Sequence, residues 1–154
     1  KRRRSESAFV PGLARNEVSA HFAAMTFRYT ILYVPDVVRT IEFYERAFGF
    51  QRGFVHESGE YGELQTGATT LSFASLTLAN SNFEGGVAPG DLHQPPAAFE
   101  VAFATDDVAA AFDRATAAGA TPVSPPKQKP WGQTVAYVRD LNGRLVELCT
   151  PVSA

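Results

Sequence analysis

Hydrophobic and polar positions change period several times along the chain, and each change marks an element. "FRYTILYV", Phe27 to Val34, is rich in β-branched and aromatic residues and reads as a strand. Its side chains alternate, so Tyr29, Ile31 and Tyr33 share one face. "PDVVRTIEFYERAFGF" then switches to helical spacing, with Val38, Ile41 and Phe43 to Phe48 forming a stripe that stops at Gly49. Three short strands follow, Gln51–Glu57, Glu60–Thr66 and Thr69–Ser75, separated by Ser58-Gly59 and Gly67. The order is β-α-β-β-β. In the last strand Leu71 and Phe73 suit the helix side, which leaves Ser72 on the opposite face.

Leu76 to Pro96 carries glycines and prolines without periodicity and reads as a linker. Its Gly85-Gly86 pair is not a phosphate loop, since no strand runs into it and no Lys-Ser/Thr follows. After it the order repeats. "AAFEVAFAT" is a strand that puts Glu100, Ala102 and Ala104 on one face. "DDVAAAFDRATAAGA" is a helix ending at Gly119, and "TPVSPPKQKPW" is a short strand with a proline-rich loop. "GQTVAYV" and "RLVELCT" form a closing hairpin, with Gln133, Val135 and Tyr137 on one face and Asn142-Gly143 as a two-residue turn in which both residues take positive φ. Asp36 and Asp106 each follow a first strand, Gly49 and Gly119 each close a helix, and both pairs are 70 residues apart. The chain is an internal duplication in architecture.

The hairpin also holds a carboxylate in an apolar run. Val146 and Leu148 point to one side of the last strand, and Glu147 and Cys149 to the other. On pattern alone Glu147 faces either water or a cavity.

Composition narrows the setting. With 154 residues and 45% apolar content, the chain can bury one real core. No apolar run reaches membrane-spanning length, and "KRRRSESAF" lacks the apolar segment of a signal peptide. One cysteine, Cys149, makes neither an internal disulfide nor a zinc cluster, so the cytoplasm is the default compartment. Residues 1–24 carry a charge of +3 and residues 25–154 a charge of −5. The mildly acidic body suits neither nucleic acid nor an anionic membrane. Met25 precedes the first strand, so 1–24 read as an extension or leader segment in which "NEVSAHFAA" could form a short helix capped by Asn16. The domain proper is 25–154, with module one at 27–76, the linker at 77–96 and module two at 97–152.

Two β-α-β-β-β modules, with "YVPD…FYERAFGF" in the first and "D-x-NG-x-x-VEL" closing the second, resemble the vicinal oxygen chelate superfamily. That group includes glyoxalase I, extradiol dioxygenases, fosfomycin-resistance thiol transferases and bleomycin-resistance binding proteins. The resemblance implies an α+β fold in which two curved mixed sheets surround a central cavity with helices outside. It places Glu147 at the family's last metal-binding position, and by register Tyr29, Ser72 and Glu100 at the other three. It also implies a homodimer, because such modules commonly pair between chains.

This donor set departs from the metal pattern, since no imidazole stands at any ligand position. A hard divalent cation such as Mg²⁺ accepts all-oxygen ligands, but tyrosine and serine add little, and no transition metal or other cofactor is expected. His56 is a candidate at the cavity mouth and otherwise a surface residue; His93 lies in the linker. The remaining candidates, Tyr29, Tyr33, Ser72, Glu100, Trp131, Gln133, Tyr137 and Glu147, describe an apolar-walled pocket with few polar groups. Three functions fit it. The first is capture of a small aromatic or cationic molecule, as in antibiotic-resistance binding proteins, with Trp131 closing on the ligand from its loop. The second is metal-free lyase or isomerase chemistry by Glu100, Glu147 and Tyr29. The third is a divalent-metal glyoxalase-type enzyme. Binding ranks first, because it explains the missing histidines without a reaction.

Overall fold

The computed structural model describes residues 24–152, so the expected helix capped by Asn16, and His21, lie outside the described residues. The elements are β1 (Tyr29–Val34), α1 (Val37–Phe48), β2 (Gln51–Val55), β3 (Tyr61–Gln65), β4 (Thr70–Ser75), α2 (Leu76–Asn82), β5 (Glu100–Ala104), α3 (Val108–Ala117), β6 (Thr121–Gln128), β7 (Thr134–Arg139) and β8 (Leu145–Cys149). They build two four-stranded mixed sheets in the orders β1-β4-β3-β2 and β5-β8-β7-β6. In each, the first strand pairs parallel with the last and the other pairings are antiparallel. The α+β fold of two equivalent modules is the one expected. No helix among the described residues is long and apolar enough to cross a membrane.

Alternation decides which face of each sheet is buried. Leu32, Val34, Leu64, Leu71 and Phe73 of the first sheet and Ala136, Val138, Val146 and Leu148 of the second join one core with Ile41, Phe43 and Tyr44 of α1 and Val108 and Ala115 of α3. The helices therefore cover one face of each sheet and leave the other open. Open on the first sheet are Tyr29, Ile31, Tyr33, Tyr61 and Glu63; open on the second are Glu100, Ala102, Ala104, Tyr137 and Glu147.

Several local expectations are corrected. The buried stripe of α1 begins at Val37, while Val38 is exposed. The helix N-caps are Asp36, accepting from Arg39 N, and Asp107, accepting from Ala110 N, each at 2.9 Å. The repeat offset is thus set by Asp107 and not by Asp106. Leu76–Asn82, expected as linker, forms a short helix because Ser75 caps it, its hydroxyl accepting from Leu78 N at 2.9 Å. β6 is longer than expected despite Pro122, Pro125 and Pro126, because it is an edge strand whose register shifts twice against β7.

The closing turn also differs. Gly143 has φ 78°, but among the described residues none other than glycine has positive φ, so Asn142 does not enter the left-handed region. The turn is held instead by the Asp140 carboxylate, which accepts from Asn142 N at 2.8 Å and Arg144 N at 2.9 Å. Such side-chain acceptance replaces the two-residue geometry.

The modules are also fastened at their helices. Gly49 ends α1 at φ 77°, and the Arg114 guanidinium of α3 lies against it, donating to Arg46 O at 2.8 Å. A side chain at Gly49 would meet that guanidinium at 2.8 Å.

Candidate functional site

The second sheet gathers the acids. In register Ala102 stands opposite Glu147 and Tyr137 opposite Glu147, while Glu100 is one pleat along β5 on the same face. Tyr137 donates its hydroxyl hydrogen bond to Glu147 Oε2 at 2.5 Å. The Glu100 carboxyl is raised, by desolvation first and then by the neighbouring Glu147 carboxylate. Tyr137 is pushed up to about 12, chiefly by its hydrogen bond to Glu147. Cys149, next on β8, is raised by burial and then by Glu147. Neither carboxylate forms an ion pair among the described residues. The nearest cation in register, Arg139, directs its guanidinium to the carbonyls of Asp91, Leu92, Gln94 and Gly143 at 2.8 to 3.1 Å.

A cavity of about 590 Å³ between the modules meets this cluster at Glu100, while Tyr137 and Glu147 stand outside its lining. Phe27, Phe50, Leu71, Phe99 and Phe103 supply its apolar wall, and Glu100 with Ala102 and Ala104 forms one side. Small side chains on β5 leave the room, and the aromatic wall makes it apolar. An acid beside an apolar cavity suits a ligand with a hydrophobic body and a cationic or hydrogen-bonding head.

The expected site residues thus divide. Glu100, Tyr137 and Glu147 come together. Tyr29 and Tyr33 stand on the first sheet's open face, Tyr29 beneath the Arg28 guanidinium at 5.6 Å from its ring centre. Ser72 points to that face but is fully buried, its Oγ 3.1 Å from the Tyr61 hydroxyl. Trp131 donates to Gln133 Oε1 at 3.0 Å, and both line a separate recess with Asp106, Thr150 and Pro151. Trp131 therefore closes no wall of the acidic cavity. Gln133 in turn donates to Thr150 O at 2.9 Å, tying down the loop. His56 sits in the β2–β3 turn with its Nδ1 2.8 Å from Ser58 Oγ, a turn contact outside the cavity.

Sequence reasoning missed two features. The phenylalanine wall draws on three separate segments, which no local pattern joins. Glu63 and Tyr61 escaped notice although "EYGEL" alternates and places both on the open face.

As for metal, the four ligand-equivalent residues fall two to a sheet, and among the described residues no group of three or more His, Cys, Asp or Glu could hold an ion. Two carboxylates, a phenol and a hydroxyl already bonded to Tyr61 do not fit a transition metal.

The glyoxalase/bleomycin resistance protein/dioxygenase superfamily model matches residues 20–148, and the chain belongs to that superfamily. No curated protein sequence matches it. Among solved structures, a glyoxalase-related enzyme from Fulvimarina pelagi is 20% identical, covering 83% of this chain and 89% of that one with a TM-score of 0.71. TioX from Micromonospora sp. ML1 is 27% identical, covering 82% and 98% with a TM-score of 0.61. A glyoxalase/bleomycin resistance protein/dioxygenase from Nocardioides is 17% identical, covering 88% and 89% with a TM-score of 0.67.

Proposed function

We propose that the protein is a cytoplasmic homodimer that binds a small aromatic or cationic molecule in its inter-module cavity, without a transition metal. The observation that carries this reading is the Glu100–Glu147–Tyr137 cluster, which has no cationic partner among the described residues and meets an aromatic-walled cavity at Glu100. A ligand cation would supply the missing counter-charge, and the phenylalanines would take the ring.

Calorimetric titration with proflavine, a flat aromatic cation, and with acridine, its uncharged relative at slightly alkaline pH, tests the reading. Proflavine binds and acridine binds at least roughly tenfold more weakly, the worth of one charge-assisted contact. Glu147→Gln and Glu100→Gln each narrow that gap. Equal binding of both probes, or of neither, overturns the proposal.

A raised carboxyl on the same sheet face as a second carboxylate also favours acid-base chemistry, a lyase or isomerase, as a second reading. It would appear as proton exchange between solvent and a bound carbon acid, lost in both Glu→Gln variants.

A further inference from the structure

We propose that the cleft between the two long helices, on the helix side of the second sheet, binds a small hydrophobic carboxylate through Arg114. This cleft of about 360 Å³ lies where the carboxyl end of α1 meets the amino-terminal half of α3. Phe48, Phe50, Phe103 and Leu148 form its floor, and the Asp107 cap with Ala110, Ala111 and Arg114 of α3 forms its flank. Those four flanking residues recur at helical spacing and so share one face. Alanine at the two middle positions leaves room that larger side chains would fill. Phe48, Phe50 and Phe103 are consequently only half-buried, although their rings pack together, with Phe103 centred 5.2 Å from Phe48 and 4.7 Å from Phe50.

The guanidinium is held from one side. Arg114 Nε donates to Arg46 O at 2.8 Å and Nη2 to Glu45 O at 3.3 Å, both at the end of α1. These carbonyls orient the group and supply no full counter-charge. Among the described residues Arg114 forms no ion pair and its Nη1 donates to nothing. The edge that remains, between Nη1 and Nη2, is a fork of the kind that takes a carboxylate through two parallel hydrogen bonds.

The acids near the cleft do not fill that role. Glu45 is paired with Arg52 at 3.0 Å. Asp113 lies about 100° around the helix from Arg114. Asp107 spends Oδ1 on the cap of α3, accepting from Ala110 N at 2.9 Å, and seven residues of helix place it about 10 Å along the axis from Arg114. The cleft thus has an apolar middle and a cation at one end, which fits an aryl or alkyl body with the carboxylate at the Arg114 end. Phe50 and Phe103 also wall the inter-module cavity, so one pair of rings separates two spaces of opposite charge, with Glu100 at one and Arg114 at the other. A carboxylate is repelled by the first and attracted to the second. The inference does not depend on the ligand proposed for the inter-module cavity.

The test is NMR titration of the full chain with 3-phenylpropionate and with its uncharged isostere 3-phenylpropionamide. The acid moves the methyl resonances of Ala110 and Ala111 and the Nε–H of Arg114, and it binds roughly tenfold more tightly than the amide, the worth of one charge-assisted contact. Arg114→Gln removes that gap. Because Arg114 also ties α3 to α1, a lowered melting temperature in this variant passes the decision to Ala110→Leu. That change fills the cleft from an exposed helix position with little loss of helix propensity, and it must abolish binding of the acid while the protein melts as the wild type does. Retained binding in Ala110→Leu, an undiminished gap in folded Arg114→Gln, or equal affinity for acid and amide overturns the site. So do shifts confined to Glu100 and Ala102 of the inter-module cavity, and the absence of any response to millimolar acid.

Discussion

Tyr44 donates its hydroxyl hydrogen bond to Asp140 across the module interface at 2.9 Å, and both residues are fully buried. The contact joins the "FYERAFGF" helix of the first module to the "DLNG" turn of the second. Asp140 uses its other oxygen for the turn amides, so one carboxylate shapes the turn and binds it to α1. Asn142 adds a bond to Thr40 Oγ1 at 3.0 Å. Burial pushes the Asp140 carboxyl up, against the lowering effect of its hydrogen bonds. The wall of the cavity depends on this docking, since Phe103 packs against Tyr44 and Phe50 with ring centres at 6.3 and 4.7 Å.

Removing the hydroxyl alone isolates the latch. Tyr44→Phe keeps the ring and leaves a buried Asp140 oxygen without its donor, costing about 1–3 kcal/mol. At about 2–4 °C per kcal/mol for a chain of this size, a thermal melt resolves the loss. Asp140→Ala loses more, because the turn amides lose their acceptor too. An unchanged melting temperature in Tyr44→Phe would make the contact incidental.

The acidic cluster predicts a pH-dependent gain. The folded Glu100 carboxyl is raised, by desolvation and then by Glu147, so the folded state favours its protonated form. Its contribution to stability is fully present below the ordinary carboxyl range and is lost as pH rises through the raised value. Glu100→Gln, which mimics the protonated form, should therefore melt higher than the wild type at neutral pH. The gap should close as pH falls below the ordinary range. A constant gap across pH would mean that the effect is packing and not charge.

The architecture was legible in the sequence because the modules differ from their surroundings in period: "FRYTILYV" and "FEVAFA" alternate, while the segments after them repeat at helical spacing. The open faces followed from the same alternation, which puts Glu100, Tyr137 and Glu147 on one face of the second sheet. What failed was anything set by contacts distant in sequence. Trp131 bonds Gln133 instead of facing the acids, because a proline-rich loop gives no direction to its side chain. Asn142 looked like a positive-φ turn residue until Asp140 supplied a different clasp. The α2 helix was hidden by its glycine-rich flank, although Ser75 is an ordinary cap.

Metal content follows from donor chemistry. With Tyr29, Ser72, Glu100 and Glu147 at the ligand-equivalent positions and Ser72 buried against Tyr61, purified protein should carry no stoichiometric Zn²⁺, Ni²⁺ or Fe²⁺ by elemental analysis. Mg²⁺ in excess should raise the melting temperature little. About one transition metal per chain, lost in Glu147→Gln, would overturn the binding reading and favour an enzyme.

Self-association is the remaining expectation, and it rests on edges. β1 and β5 each terminate a sheet, with backbone groups on one side that no neighbouring strand pairs. On β1, Tyr29 is 46% exposed and Ile31 41%, so the sheet face beside the edge is apolar there, although the Arg28 guanidinium lies over Tyr29 and Arg144 donates to Tyr33 O at 3.2 Å. Light scattering at tens of micromolar should therefore give a dimer, with a total buried surface above roughly 1,000 Å². Ile31→Lys places a charge on that face without touching the core side of β1, and should shift the species to monomer with little change in circular dichroism. A wild-type monomer under these conditions would count against the dimer.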